Sequence, residues 1–152
     1  MADPRTWSDP EHGFAIDVPS TAPSGATVAV DHEMTAGAAH RLHAHTPDAT
    51  EVYVDVVSYP AIIDHGVARE DQRRGLAERD PAGTIVAAPD GSLFGRATTR
   101  LDFDGMLGGL PRRRRFVWLD LGPRTLRIVC EPTSAANAAI IATLRPIEPA
   151  TS

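Results

Sequence analysis

From Phe116 to Leu121 apolar residues fall on both phases of a two-residue period, the pattern of a strand covered on both faces. Paired antiparallel with Arg124–Glu131 across Gly122-Pro123, it puts Val117, Leu119, Leu126, Ile128 and Cys130 on one face. Phe116, Trp118, Asp120, Thr125, Arg127 and Val129 take the other. In that register Trp118 lies opposite Arg127, where a cation–π contact is expected. A slip of one residue would turn the aliphatic set outward, so the pattern resists misregistration. After Pro132 the period changes. Thr133 or Ser134 can cap a helix, and Ala136, Ile140 and Leu144 recur at helical spacing, with Ile141 widening the stripe and Pro146 ending it.

Upstream, Thr6–Ser8 and Gly13–Val18 read as an opening hairpin, and Thr27–Asp31 as a short strand. Met34–Ala39 reads as irregular. His40–Thr46 and Glu51–Tyr59 form a further hairpin turning at Thr46–Thr50, its second arm β-branched and aromatic as in a central strand. Val67–Arg79 is a surface helix with Asp64 as cap, Glu70–Arg74 and Arg74–Glu78 at ion-pair spacing, and a thin stripe of Val67, Ala68, Leu76 and Ala77. Thr84–Ala88 is a short strand, Pro89–Ser92 a turn, and Leu93–Phe103 an alternating strand. Asp104–Pro111 reads as a flexible loop. Strands joined by short turns imply an antiparallel sheet, and two helices are too few for a doubly wound parallel one. The expected fold is α+β: a single antiparallel sheet with two helices packed on it, one domain over 1–148 and a frayed tail at 149–152.

Composition narrows the function classes. The chain has 152 residues, 42% hydrophobic and 23% charged, as in ordinary globular domains. No run approaches the roughly 20 apolar residues of a membrane span, and the opening MADPRTWSDPEHG has no signal-peptide pattern, so a cytoplasmic location is expected. The one cysteine, Cys130, faces the core, where a thiol behaves as a small hydrophobe. All fifteen basic residues are arginine, which excludes Schiff-base and P-loop lysine chemistry. Net charge is −5, made of −8 over residues 1–66 and +3 over 67–152. This overall acidity argues against nucleic acid as a partner.

Several stretches together carry a resemblance: GFAIDVPS, the strand EVYVDVVSYP followed by VAREDQRRGLAERD, Leu-Phe-Gly leading into GRATTRLDF, and the closing FVWLDL, RTLRIVCE and SAANAAIIATL. In this order the chain resembles the PsbP-like superfamily, which includes DcrB-like domains, photosystem extrinsic subunits and a Ran-binding nuclear import homologue. The resemblance implies an antiparallel sheet sandwiched by helices (an α/β/α sandwich) and a role in binding or assembly. It implies no catalytic residues and no cofactor.

Two clusters carry candidate chemistry. In HRLHAH (40–45), Leu42 facing the core turns His43 and His45 together to the other face, as metal ligands on a strand can stand. With Gly37 before and Glu51 after, the spacing approaches the first cupin metal motif, but the spacer before Glu51 is one residue too long. The echo of a second motif at Gly75–Gly83 carries Val86 where a histidine belongs. The simpler alternative is a solvent-facing strand. The second cluster is Arg112, Arg113, Arg114 and Arg115, preceded by Met106, Leu107 and Leu110. Guanidiniums at a strand mouth can grip phosphates or carboxylates in bidentate fashion, and the apolar residues suit docking. The alternative is a solvated strand end paired with acids of the negative half. No G-x-S-x-G or comparable nucleophile setting occurs.

The sequence therefore leads to a binding or assembly module without catalysis that contacts a protein partner or a second copy through residues 106–115. A metal-dependent enzyme using His43, His45 and Glu51 is the competing class. A small-ligand binder in the sheet–helix crevice is the third.

Overall fold

A computed structural model of the chain describes residues 4–9, 13–34, 40–47, 51–86 and 91–147. Its centre is an eight-stranded antiparallel sheet. Seven strands follow one path: β3 (Ala29–Met34), β4 (His40–His45), β5 (Tyr53–Ser58), β10 (Arg124–Cys130), β9 (Leu110–Leu121), β8 (Arg96–Leu107) and β6 (Thr84–Val86). The eighth, β7 (Gly91–Leu93), also pairs with β8. The expected register across Gly122-Pro123 is found, with Trp118 opposite Arg127 and Val117 opposite Ile128. Helix α1 (His65–Arg79) lies on one face. Helix α2 (Ala135–Ala142) lies on the other, together with a three-stranded sheet of β1 (Pro4–Asp9), β2 (Phe14–Pro19) and β11 (Arg145–Pro146). The architecture is the expected α+β, and the small second sheet is an addition to it.

The larger core lies under α2. Leu42, Val54, Val56, Leu119, Leu126 and Ile128 meet Phe14, Ile16 and Val18 from β2 and Ile140 and Leu144 from the C-terminal helix region. Buried aliphatic side chains of this size contribute roughly 1.5–3 kcal/mol each, so this layer supplies most of the fold's driving force. A smaller core of Leu76, Leu101, Phe103, Phe116, Trp118 and Val129 lies under α1. Leu76 is the one buried residue of that helix; Val67, expected in its stripe, is exposed.

Polar contacts fix both helices. Asp64 caps α1 by accepting the Val67 N–H at 3.0 Å, and Ser134 caps α2 by accepting that of Asn137 at 3.2 Å. Asn137 is fully buried: it accepts the Tyr53 N–H at 2.9 Å and donates to the Glu131 carbonyl at 3.0 Å. At the far end of α1, the Asp80 carboxylate accepts the N–H of Met106 at 2.7 Å and of Ala82 at 3.3 Å. This approach needs Gly105, where a Cβ would come within 2.5 Å of Asp80 Oδ2 and 2.8 Å of the Phe103 ring.

Several expectations are corrected. Asp104–Pro111 is not a loop. β8 runs on to Leu107 and β9 begins at Leu110, joined at Gly108-Gly109, both at positive φ as a tight primed turn requires. Leu93 ends β7 instead of opening β8, because the chain turns at Phe94 and Gly95. On α1 the ion pairs are at i,i+3, Glu70–Arg73 and Asp71–Arg74, not at i,i+4. The α2 helix stops at Ala142 with Thr143 as its cap, and Pro146 belongs to β11 instead of ending the helix. Arg127 faces Trp118 in the ladder, but its guanidinium donates to Gln72 Oε1 at 3.3 Å; Trp118 stacks on Phe116, ring centroids 6.2 Å apart. The third strand runs from Ala29 to Met34, not from Thr27 to Asp31. Residues 35–39, 48–50 and 87–90, expected as irregular chain, turn and strand end, lie outside the described residues, as does the 148–152 tail.

Candidate functional site

Helix α1 covers the β8–β9 side of its face and leaves the β4–β5–β10 side open. The result is a crevice of about 450 Å³ between helix and sheet. Strand alternation decides what lines it. Arg41 from β4, Tyr53 and Asp55 from β5, Arg127 from β10 and Arg114 from β9 all point to this side, and Gln72, Leu76 and Arg79 come from α1. Four arginines thus face one acid.

Asp55 is spoken for, since Arg41 Nε donates to its Oδ1 at 2.8 Å. Arg114 is the unusual member. It is only 6% exposed, sits over the Tyr53 ring at 3.9 Å, and donates to the Arg113 carbonyl at 2.9 Å. No carboxylate pairs with it among the described residues. Burial lowers its pKa, the direction for a cation held without enough countercharge. Arg127 Nε is likewise buried without a hydrogen-bond partner.

The four consecutive arginines do not act as one cluster, because alternation sends them to opposite faces of β9. Arg114 enters the crevice, and Arg112 is half-buried on the same phase. On the other face Arg113 pairs with Asp104 at 3.4 Å and Arg115 with Asp102 at 3.1 Å. These acids come from the adjacent strand β8, within the positive half of the chain. Burial alone would raise the Asp102 pKa, but hydrogen bonds from Arg100 and Arg115 outweigh it and hold the carboxyl low. Met106 and Leu110 are exposed at the hairpin tip, at 45% and 53%, and Leu107 borders the crevice.

The histidine pair is placed as expected: Leu42 is buried, and His43 and His45 share the opposite face with ring centroids 4.6 Å apart. The third group that joins them is Asp31 on β3, not Glu51. Glu51 instead accepts the Ser24 N–H at 2.9 Å and bonds the Ser24 hydroxyl. His40 is in the β4 ladder, but its side chain lies outside the described residues.

Two further groupings are structural. Thr99, His65 and Asp120 follow a hydroxyl–imidazole–carboxylate order at 3.3 and 2.7 Å. Asp120 also accepts Thr125 Oγ1 at 2.8 Å, and Thr125 Oγ1 accepts the Ile63 N–H at 3.0 Å, so the chain fastens the start of α1 to the sheet. Cys130 lines a second cavity of about 350 Å³ beside α2, where burial pushes its thiol up to about 11 and keeps it unreactive.

With this geometry in hand, the comparisons concern the fold. The sequence matches no protein-family model and no curated protein. The structure is similar to the solution structure of cyanobacterial PsbP (CyanoP) from Synechocystis sp. PCC 6803, with a TM-score of 0.62 at 9% identity, covering 96% of this chain and 94% of that one. It is also similar to a crystal structure of a protein from Bacteroides thetaiotaomicron VPI-5482, with a TM-score of 0.56 at 14% identity. That match covers 97% of this chain and spans half of the other. The chain has a PsbP-like fold, as its sequence pattern suggests, and at these identities the likeness concerns the fold alone.

The sequence suggested a sheet–helix crevice as one alternative but assigned no residues to it. A signal was nonetheless present: Arg114 shares the phase of Phe116 and Trp118, the face to which the hairpin pattern already assigned Arg127.

Proposed function

We propose that the chain is a non-catalytic binding module of the PsbP-like superfamily whose site is the crevice between α1 and the sheet, and that its occupant presents a carboxylate or phosphate. The observation that carries this is Arg114, a buried guanidinium without a carboxylate. Removing a cation from water costs several kcal/mol even after relaxation. Within the chain its compensation is the Tyr53 ring, the Arg113 carbonyl and the charge of Glu131, which makes no direct ion pair with it. An anionic group on Arg114 and the unpartnered Arg127 Nε would supply a direct countercharge, with Arg79 at the rim. Val57, Val129, Phe116 and Leu107 give an apolar body somewhere to rest. Asp55 is paired with Arg41, so the lining supplies no uncommitted carboxylate for general-base work.

This moves the emphasis from the 106–115 stretch as a whole to the part of it that enters the crevice. Met106, Leu107 and Leu110 form an apolar rim, and Arg112 to Arg115 contribute chiefly through Arg114. A protein partner would present an acidic side chain here, and a small ligand its own anionic group.

The test is an NMR titration with phenyl phosphate, and with neutral methyl benzoate as control. Amide shifts centred on Tyr53, Arg114 and Arg127 are expected with the anion only. They should weaken at least tenfold in Arg114→Met. Equal binding of both probes, or binding indifferent to that substitution, removes the proposal.

A further inference from the structure

The same sheet face carries a second grouping, towards its β3 edge. Asp31 from β3 and His43 and His45 from β4 each offer one ligand atom, and all three atoms lie within 4.8 Å of one another. The backbone beneath them is fixed, because Asp31 and His43 are direct ladder partners and β4 is paired on both sides.

His45 is the informative residue. Its Nδ1 lies 3.3 Å from the Thr46 carbonyl and its Nε2 lies 3.1 Å from Asp31 Oδ2. The carbonyl can only accept, so Nδ1 carries the proton. A neutral ring then aims the Nε2 lone pair at a carboxylate oxygen. Two acceptors in that position repel unless a proton or a metal ion stands between them. A leash from the far ring nitrogen to a backbone carbonyl is the usual second contact of a metal-bound imidazole.

His43 distinguishes between the two. Its Nε2 is buried and has no hydrogen-bond partner, an arrangement that is costly when left empty. The ring is wedged against His45 and against the edge of Tyr53, 4.8 Å between centroids. A proton on His45 satisfies His45 and Asp31 but leaves His43 Nε2 without a partner. A metal ion would satisfy His45, Asp31 and His43 at once.

We propose that Asp31, His43 and His45 form a binding site for a divalent transition-metal ion of the zinc class. Two imidazoles and one carboxylate suit zinc, nickel or copper and do not suit magnesium or calcium, which take oxygen ligands. With bonds of about 2.0–2.1 Å, tetrahedral ligand atoms lie about 3.3 Å apart, close to the His45–Asp31 separation. The Asp31 side chain is 66% exposed and can turn to bring its oxygen to the ion. Three protein ligands leave a fourth position for water. Arg41, also on this face, is engaged by Asp55 at 2.8 Å and Glu33 at 3.4 Å, which offsets its charge.

The site is independent of what the crevice binds. Its test is calorimetric titration of the chelator-treated full chain with zinc chloride, repeated with magnesium chloride. One zinc per chain is expected, with no magnesium heat. Asp31→Asn, His43→Ala and His45→Ala should each weaken zinc at least tenfold, and Glu51→Gln should leave it unchanged. Asp31 is exposed, so its variant tests the site without risk to the core. Cobalt(II) should give the intense visible absorption of a four-coordinate ion and lose it in the same variants. No zinc binding, or zinc binding that persists in the His43→Ala/His45→Ala double variant, overturns the proposal.

Discussion

On the α2 side of the main sheet, Leu42, Val56, Leu126, Ile128 and Leu119 lie side by side across four strands, almost without solvent. On the alternate phase of the same strands, Arg41, Asp55, Arg127 and Arg114 look the other way. Every strand therefore contributes to two environments of opposite character. The apolar face holds the domain together. The charged face is only half covered by its helix and keeps Arg114 desolvated, 6% exposed. That contrast is what motivates the proposal that the α1 side is the binding surface.

Substitutions can break this comparison or sharpen it. The largest effect is expected from Leu126→Ala, which opens a cavity in the α2-side core and should cost about 2–5 kcal/mol in urea unfolding. Phenyl phosphate affinity should be unchanged at concentrations where the variant is folded. Asn137→Ala should follow at about 2–4 kcal/mol, because the Tyr53 N–H and the Glu131 carbonyl both lose their partner. Arg114→Met inverts the pattern: stability should stay level or rise by about 1 kcal/mol, while the anion response in the crevice is lost. A large destabilisation by Arg114→Met would show that the buried cation is structural and would erase the distinction between the faces.

The smallest effect concerns acid. The Asp102 pKa is held down by Arg100 and Arg115, so the folded chain keeps this carboxylate ionised below the unfolded Asp value of about 3.9. Its contribution is present above that value and is lost as pH falls through the lower folded one. Asp102→Asn should therefore cost about 1 kcal/mol at pH 7 and almost nothing near pH 2, in thermal melts across that range.

What the sequence revealed depended on how local the deciding interactions were. The 116–131 hairpin and its register were readable because apolar residues on both phases leave one pairing that buries them all. Asp64 and Ser134 were readable as caps because capping is decided within four residues. The stretch 104–111 misled, since adjacent glycines suggested flexibility where their positive φ closes a hairpin, and four arginines concealed a strand that alternates beneath them. The proposed metal ligands were half readable. His43 and His45 lie two apart on one strand, whereas Asp31 reaches them through a ladder pairing, and the nearer Glu51 is drawn off by Ser24. The crevice depends on how far α1 extends over the sheet, which no pattern along the chain records.

Asp80 ends α1 through its backbone N–H and receives the Met106 N–H on its carboxylate, which has a further consequence. It rivets the far end of the helix to the long hairpin, as the His65–Asp120 contact rivets the near end. Anchored at both ends, α1 is a fixed jaw instead of a swinging one. A guest should meet a socket already cut to shape, arriving and leaving without waiting for the protein to move.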